Sequence, residues 1–205
     1  MQAGGGVKHT REVLVSTALQ LFAERGIDAV SLAEINRAAG QRNATATHYH
    51  FGGKAGLVQA IFDKHRARVN RIREAMLAAL PEQASPAQVI ALLIVPLAEQ
   101  VRDADGGVHY LQFLAQLMNQ SGLSSAERDR HDSEVLREQR RRFQELLSPL
   151  PEAVRTLRMD FVVAMVFNSL ARYAAQVALN ELDEARHAEL LEQLVTAAVG
   201  ALLSG

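Results

Sequence analysis

The side chains best suited to chemistry are concentrated in residues 41–51, close to the start of this 205-residue chain. The stretch carries hydroxyls, amides, imidazoles, a guanidinium and a phenol, and it has no acidic side chain. Such groups bind phosphate oxygens and exchange hydrogen bonds with the edges of bases. The composition of this stretch is therefore typical of a helix that lies against DNA.

Two short helices around a tight turn would position these side chains. Ser31 and Glu34 have the Ser-x-x-Glu spacing of a capping box, which predicts a helix that begins at Leu32. Gly40 suits the left-handed residue that ends such a helix. Because so short a helix is not stable alone, it must pack on residues 10–25, which carry an apolar stripe. The pattern predicts a three-helix unit that contains a helix-turn-helix.

Residues 10–65 resemble the DNA-binding domain of TetR-type bacterial transcriptional regulators. The matching segments are Ala-Leu-Gln-Leu-Phe-Ala-Glu-Arg-Gly26, Ser-Leu-Ala-Glu-Ile-Asn-Arg-Ala-Ala-Gly40 and Tyr-His-Phe-Gly-Gly-Lys54. The chain departs from the usual pattern by one extra residue between Gly40 and Phe51. Gln41 also stands in place of an apolar residue, and Thr47 in place of leucine. We therefore expect the turn, or the start of the recognition helix, to be remodelled.

In a helix-turn-helix unit the second helix enters the major groove of DNA. There, Arg42 could bind guanine and Asn43 adenine, each through two hydrogen bonds. The resemblance implies that residues 48–50 contact the DNA backbone or brace the helix end, and that Lys54 meets a phosphate where the next helix starts. His50 could equally be a packing histidine. The predicted DNA-binding set is Ser31, Arg42, Asn43, Thr45, Thr47, His48, Tyr49, His50 and Lys54.

The charge is distributed unevenly, although the net charge is only −1. Residues 1–80 carry 11 Lys and Arg against 6 Asp and Glu, a balance of +5, and residues 81–205 carry 11 against 17, a balance of −6. A basic head on an acidic body is typical of a local phosphate-binding surface. The alternative is chance clustering of charge on solvated helices.

The composition predicts an all-α protein, because Ala, Leu, Glu, Gln and Arg are abundant and strand signals are weak. The absence of cysteine excludes disulfides, thiol nucleophiles and Cys-ligated zinc, and it fits a cytoplasmic location. The N-terminus lacks the apolar core of a signal peptide, and polar residues interrupt the longest apolar run, 161–179. We expect no membrane span and no cofactor.

We expect about nine helices in two domains. Residues 1–53 would form the N-terminal helix-turn-helix domain, and residues 54–205 a C-terminal helical domain for effector binding and dimerisation. A long helix from Lys54 would join them, and capping boxes at Ser85 and Ser124 predict two later helix starts.

The last two predicted helices, about 152–181 and 183–203, indicate self-association. Residues 161–179 are apolar almost all round, which implies burial on more than one side. In the final helix, Ala197 and Gly200 permit close helix approach. Two such helices from each of two chains would form a four-helix bundle, and the resemblance also implies a homodimer. Alternatively, these helices pack only within one chain.

The resemblance further implies a repressor that binds a palindromic operator and is released when a small-molecule effector enters the body. Polar and aromatic candidates for that pocket are His109, Tyr110, Phe113, Gln116, Phe143, Met165, Asn168, Arg172 and Tyr173. Asn168, Arg172 and Gln176 recur every four residues and so share one helix face. That face could line a pocket, lie in the dimer interface or be wetted.

Other classes of protein fit less well. His48-x-His50 does not place two metal ligands on one helix face, and a single Glu184-x-x-His187 on a helix that looks solvated does not make a di-iron site. No Gly-rich phosphate loop, nucleophile elbow or paired-carboxylate motif is present. We therefore expect no enzyme activity. A ligand-independent nucleoid or recombination protein and a transcriptional activator remain alternatives.

Overall fold

The computed structural model describes residues 3–41, 43, 45–118, 133–180 and 182–203. Within those residues the chain forms nine α-helices and no strand, which confirms the all-α prediction. The helices are α1 (Ala3–Arg25), α2 (Leu32–Ala38), α3 (Ala46–Phe51), α4 (Lys54–Ala78), α5 (Pro86–Ala98), α6 (Gly107–Met118), α7 (Glu134–Leu147), α8 (Glu152–Leu179) and α9 (Glu184–Leu203), with a 3₁₀ turn at Glu99–Arg102.

Reciprocal capping boxes begin two of these helices, as predicted. The Glu34 amide donates to Ser31 Oγ over 3.2 Å, and the Ser31 amide donates to Glu34 Oε2 over 2.8 Å. Hydrogen bonds from the Ser31 amide and hydroxyl, together with Arg25, lower the pKa of Glu34 to about 2. Ser85 and Gln88 form the same box at the start of α5. The third predicted box, at Ser124, lies outside the described residues.

The head, which we define as α1–α3, is joined to the remaining helices (the body) by a continuous apolar core. One cluster of buried side chains extends from Leu14 in α1 to Leu202 in α9. Phe22 of α1 stacks on Phe113 of α6 with ring centroids 6.3 Å apart, and Phe62 of α4 meets Phe113 edge to face at 5.7 Å. A movement of α6 relative to α4 would therefore displace the side chains on which α1 packs.

Helix α8 leaves much of its apolar surface uncovered. By length and composition alone it could cross a membrane, contrary to expectation, and only 28% of its most apolar window is buried, so burial in the core does not explain its apolar character. Leu157, Phe161 and Leu179 are 53%, 60% and 85% exposed. Beside it, Ala197 and Gly200 of α9 are also exposed. A large apolar face that one chain leaves uncovered indicates a surface that another molecule covers.

Candidate DNA-binding surface

The turn between α2 and α3 holds the two short helices against each other. Gly40 has φ +67°, the left-handed conformation predicted for the end of α2. The Gln41 amide then donates to the Asn36 carbonyl over 2.9 Å, which folds the chain back toward α3. Helix α3 contains only six residues, so contacts with its neighbours must hold it in place.

Asn43 caps the start of α3 through its side chain. Its Oδ1 accepts hydrogen bonds from the Thr45 amide over 2.9 Å and from the Thr45 hydroxyl over 2.8 Å. Its backbone carbonyl accepts from the Ala46 amide over 3.1 Å. Because a two-bond contact with adenine needs one lone pair of Oδ1, Asn43 would have to give up at least one of these side-chain bonds to make it. As placed here, Asn43 organises the helix.

Thr47 does not face DNA, so its inclusion in the predicted DNA-binding set is wrong. Its side chain is fully buried, and its hydroxyl donates to Asn36 Oδ1 over 2.6 Å. Thr47 therefore faces α2 rather than the outward side of α3. The resemblance contained this signal, because Thr47 occupies a position where leucine, a core residue, is usual.

The outward side of α3 is formed by His48 and Tyr49. Tyr49 is 80% exposed and His48 is also exposed, whereas His50 is half-buried. The His50 ring meets the Tyr49 ring edge to face at 5.2 Å. Arg11 of α1, which the sequence analysis did not single out, places its guanidinium 5.2 Å from the Phe51 ring centre. Together these groups offer an aromatic and cationic surface suited to DNA.

Ser31 and Lys54 flank this surface, and both are already engaged. Ser31 is exposed, with its hydroxyl in the capping box. Lys54 Nζ donates to the Ile27 carbonyl over 2.9 Å and ties the start of α4 to the turn after α1. Since an ammonium group has three N–H donors, two of them remain for a phosphate. Arg42 lies outside the described residues.

The predicted effector-binding residues differ in their surroundings in the described part of the chain. Phe113 belongs to the core between head and body, and Tyr110 stacks on His65 at 4.3 Å. Asn168 and Arg172 are exposed on α8, which fits the alternatives of a dimer interface or a wetted face rather than an internal pocket. They share the outward face of the helix because its inward face is taken by buried aliphatic residues. Phe143 and Tyr173 are buried, and His109, Gln116 and Met165 are half-buried.

Tyr173 lies instead in a hydrogen-bonded cluster at the start of α9. Its hydroxyl is 2.9 Å from His187 Nδ1, and Glu99 Oε1 is 3.1 Å from His187 Nε2. His187 is only 3% exposed, and Glu184 pairs with Arg102. The interpretation of Glu184-x-x-His187 as solvated is therefore wrong for His187, whereas Glu184 is exposed. A cleft of about 300 Å³ adjoins the cluster, lined by Tyr173, Gln176, Val177, Asn180, Asp183 and Arg186.

Two family models match this chain. The model described as bacterial regulatory proteins of the tetR family matches residues 14–61, and the tetracyclin repressor-like C-terminal domain matches residues 91–201. The chain belongs to the TetR family. This TetR family protein is accordingly a DNA-binding transcriptional regulator, and its helix-turn-helix is the α2–α3 unit described above.

Individual relatives agree with this assignment. The chain is 36% identical over 84 residues to the HTH-type transcriptional regulator BetI of Rhizobium meliloti (strain 1021), and the match covers 41% of this chain and 39% of that protein. A Shewanella sp. PV-4 crystal structure described as a tetR family transcription regulator has a TM-score of 0.58 at 18% identity. That likeness extends over 92% of this chain and 97% of the other, and it concerns the fold.

Proposed function

We propose that this TetR family protein is a cytoplasmic repressor that binds a palindromic operator as a homodimer and leaves it when a small molecule binds the body. The observation that carries the proposal is α3, a short helix held by α2 that presents His48 and 80%-exposed Tyr49 outward. The balance of +5 in residues 1–80 supports it, because phosphate contacts supply much of the affinity for DNA.

The DNA-contacting groups that we propose are the side chains that remain accessible around α3, together with Arg42, which lies outside the described residues. The accessible ones are Ser31, Asn43, Thr45, His48, Tyr49, His50 and Lys54. Thr47 is excluded because it is buried. In this proposal residues 1–53 form the DNA-binding domain and residues 54–205 the domain for effector binding and dimerisation.

Dimerisation through α8 and α9 would cover the apolar face of α8. Leu157 and Phe161 lie one turn apart on that face and are both more than half exposed. The small residues Ala197 and Gly200 of α9 allow a second copy to approach closely. A two-fold pair of heads also matches the two-fold symmetry of a palindromic operator.

Effector release would act through the joint between head and body. Phe113 of α6 packs on Phe22 of α1 and on Phe62 of α4, so a shift of α6 would tilt the head. A ligand changes the occupancy of DNA only if it binds one arrangement of the two heads more tightly than the other. Small displacements suffice, because the heads must match half-sites about one DNA turn, roughly 34 Å, apart.

Selection from a random duplex library tests this proposal. We expect the purified protein to enrich an inverted repeat, to protect two half-sites about one helical turn apart in a footprint, and to bind as one dimer for each duplex. A reporter driven by a promoter that overlaps the enriched sequence should be repressed. If no sequence is enriched even at low salt, or if a single half-site binds a monomer, the proposal is wrong.

A further inference from the structure

The first turn of α3 has backbone donors that the helix itself cannot satisfy. In any α-helix the first N–H groups lack a carbonyl partner within the helix. Here the Thr45 amide is satisfied by Asn43 Oδ1 and the Ala46 amide by the Asn43 carbonyl. The next amide, that of Thr47, is buried and lies beyond the reach of this local cap.

Asn36 of α2 satisfies that amide from across the turn. Its Oδ1 accepts the Thr47 amide over 3.1 Å and the Thr47 hydroxyl over 2.6 Å. The two residues are eleven positions apart, and they are 2% and 0% exposed. Both lone pairs of one amide oxygen are thus used on a single residue of the recognition helix.

We propose that Asn36 is a positioning residue, which caps α3 from α2 and thereby sets the angle at which the recognition helix meets the DNA. This inference rests on the proposed function. A cap supplied by α2 fixes the start of α3 relative to α2. A cap from within the α3 segment cannot do this. Helix α3 then cannot rotate about its own axis without leaving a buried N–H and a buried hydroxyl unsatisfied.

Three variants separate this role from simple packing. Asn36→Leu keeps a side chain of similar size and removes the acceptor, so both Thr47 donors lose their partner. Asn36→Asp is the control that keeps an acceptor oxygen for both Thr47 bonds, while it replaces the side-chain NH2 group by a second oxygen. Thr47→Val removes the hydroxyl bond but keeps the backbone bond at position 47.

The first measurement is amide hydrogen exchange at position 47 in the full-length protein, without DNA. In wild type this amide should be protected, and in Asn36→Leu it should exchange at least about tenfold faster, because it loses its only acceptor in the described structure. In Asn36→Asp and Thr47→Val it should remain protected. Unchanged exchange in Asn36→Leu, or an unprotected amide in wild type, would overturn the cap.

The second measurement compares affinity for the duplex that wild type enriches with affinity for a random duplex. Asn36→Leu should bind the enriched duplex about tenfold more weakly and the random duplex within about twofold of wild type, because a misdirected helix loses base contacts but keeps phosphate contacts. Asn36→Asp should restore the preference. Equal losses on both duplexes would mark Asn36 as merely structural and overturn its positioning role.

If Asn36→Leu does not fold, Thr47→Val replaces it, with an expected loss of about threefold that is confined to the enriched duplex. No loss of preference in that variant would contradict the proposal. Failure of the proposed function looks different, because wild type itself would then prefer no duplex. The exchange measurement would still decide whether Asn36 caps α3.

Discussion

Two buried polar sites in this chain are built in opposite ways. In the head, Asn36 accepts two hydrogen bonds from Thr47, so the polar atoms that meet there have partners. At the joint between head and body, His65 of α4 is 1% exposed, and neither of its ring nitrogens has a hydrogen-bond partner in the described structure. Its nearest carboxylate, that of Asp103, lies 3.6 Å from Nδ1, which is too long for a hydrogen bond.

This difference fits the roles that we propose for the head, which binds DNA, and for the joint, which transmits effector binding. A fully satisfied buried pair favours one geometry, which a helix that reads DNA requires. An unsatisfied buried imidazole makes its own arrangement less stable, so the surrounding contacts are easier to change. His65 stacks on Tyr110 of α6, and it lies beside Gly106, which also neighbours Leu19 of α1. We infer that the head is held in one arrangement and that the joint is the part able to yield.

The largest expected effect is a loss of stability in acid that originates at His65. Burial, aided by the positive charge of Lys64 and opposed by Asp103 and Asp105, lowers the pKa of His65 from 6.5 to about 4. The folded state therefore binds fewer protons than the unfolded state between pH 6.5 and about 4, and stability falls as the pH drops through that window. We expect His65 to account for roughly 2–3 kcal/mol between pH 7 and pH 4.5.

Urea denaturation at both pH values checks this prediction, at one protein concentration because the protein is expected to dimerise. The control is His65→Phe, which keeps a ring on Tyr110 and removes the titrating group. Between pH 7 and pH 4.5, the variant should lose roughly 2–3 kcal/mol less stability than wild type loses. An identical pH dependence in the variant and in wild type would show that His65 is not the origin.

The next largest effect is a difference in sign between the two sites at pH 7. Asn36→Leu should lower the free energy of unfolding by about 2 kcal/mol, because it leaves buried donors of Thr47 without an acceptor. His65→Phe should be neutral or stabilising, because it removes a buried polar group that had no partner. Denaturant melts of the two variants give the comparison directly. Similar losses of stability in Asn36→Leu and His65→Phe would show that the two sites do not differ in this way.

A smaller effect is expected at Gly106, which lies at the joint. This residue has φ +97°, and an added Cβ would lie 3.1 Å from Leu19 Cδ2 of α1. Gly106→Ala should cost about 1–2 kcal/mol, because the backbone is strained for any L side chain and the Leu19 side chain must move slightly to admit the added Cβ. The measurement is the thermal midpoint, with exposed Gln144→Ala as the control. A thermal midpoint equal to that of the control would mean that the joint accommodates the added methyl group without a loss of stability.

The smallest effect concerns the cap that starts α2. Ser31→Ala removes the side-chain acceptor of the Glu34 amide and should cost about 1 kcal/mol. Ser31→Thr keeps a hydroxyl at that position and should retain most of the stability. Denaturant unfolding of the pair distinguishes loss of the cap from loss of volume. Equal stability of wild type and Ser31→Ala would show that α2 is held by packing alone.

The sequence predicted the elements whose causes are local. The capping boxes at Ser31 and Ser85 depend on residues three positions apart, and the left-handed end at Gly40 depends on one residue, so pattern and structure agree there. The direction of Thr47 could not be predicted in the same way, because it depends on Asn36 eleven positions away.

In the body, too, contacts between residues far apart in the sequence decide what the local pattern could not predict. The periodicity of Asn168 and Arg172 placed them correctly on one face of α8, but only the packing of α8 against its neighbours decides that this face points outward. Similarly, the partners that bury His187 come from α8 and from the 3₁₀ turn at Glu99–Arg102, 14 and 88 positions away. A periodic pattern identifies a face, whereas the tertiary contacts decide what the face meets.

The most direct test of the central claim, that the outward side of α3 reads DNA, is the affinity of Tyr49→Ala for the duplex that wild type enriches, measured by fluorescence anisotropy. Because Tyr49 is 80% exposed, its removal should leave the circular dichroism spectrum and the thermal midpoint unchanged. We predict a loss of affinity of at least about tenfold, as expected for a side chain at the centre of an interface, and no loss for exposed Gln144→Ala of α7. An affinity of Tyr49→Ala equal to that of wild type would contradict the claim.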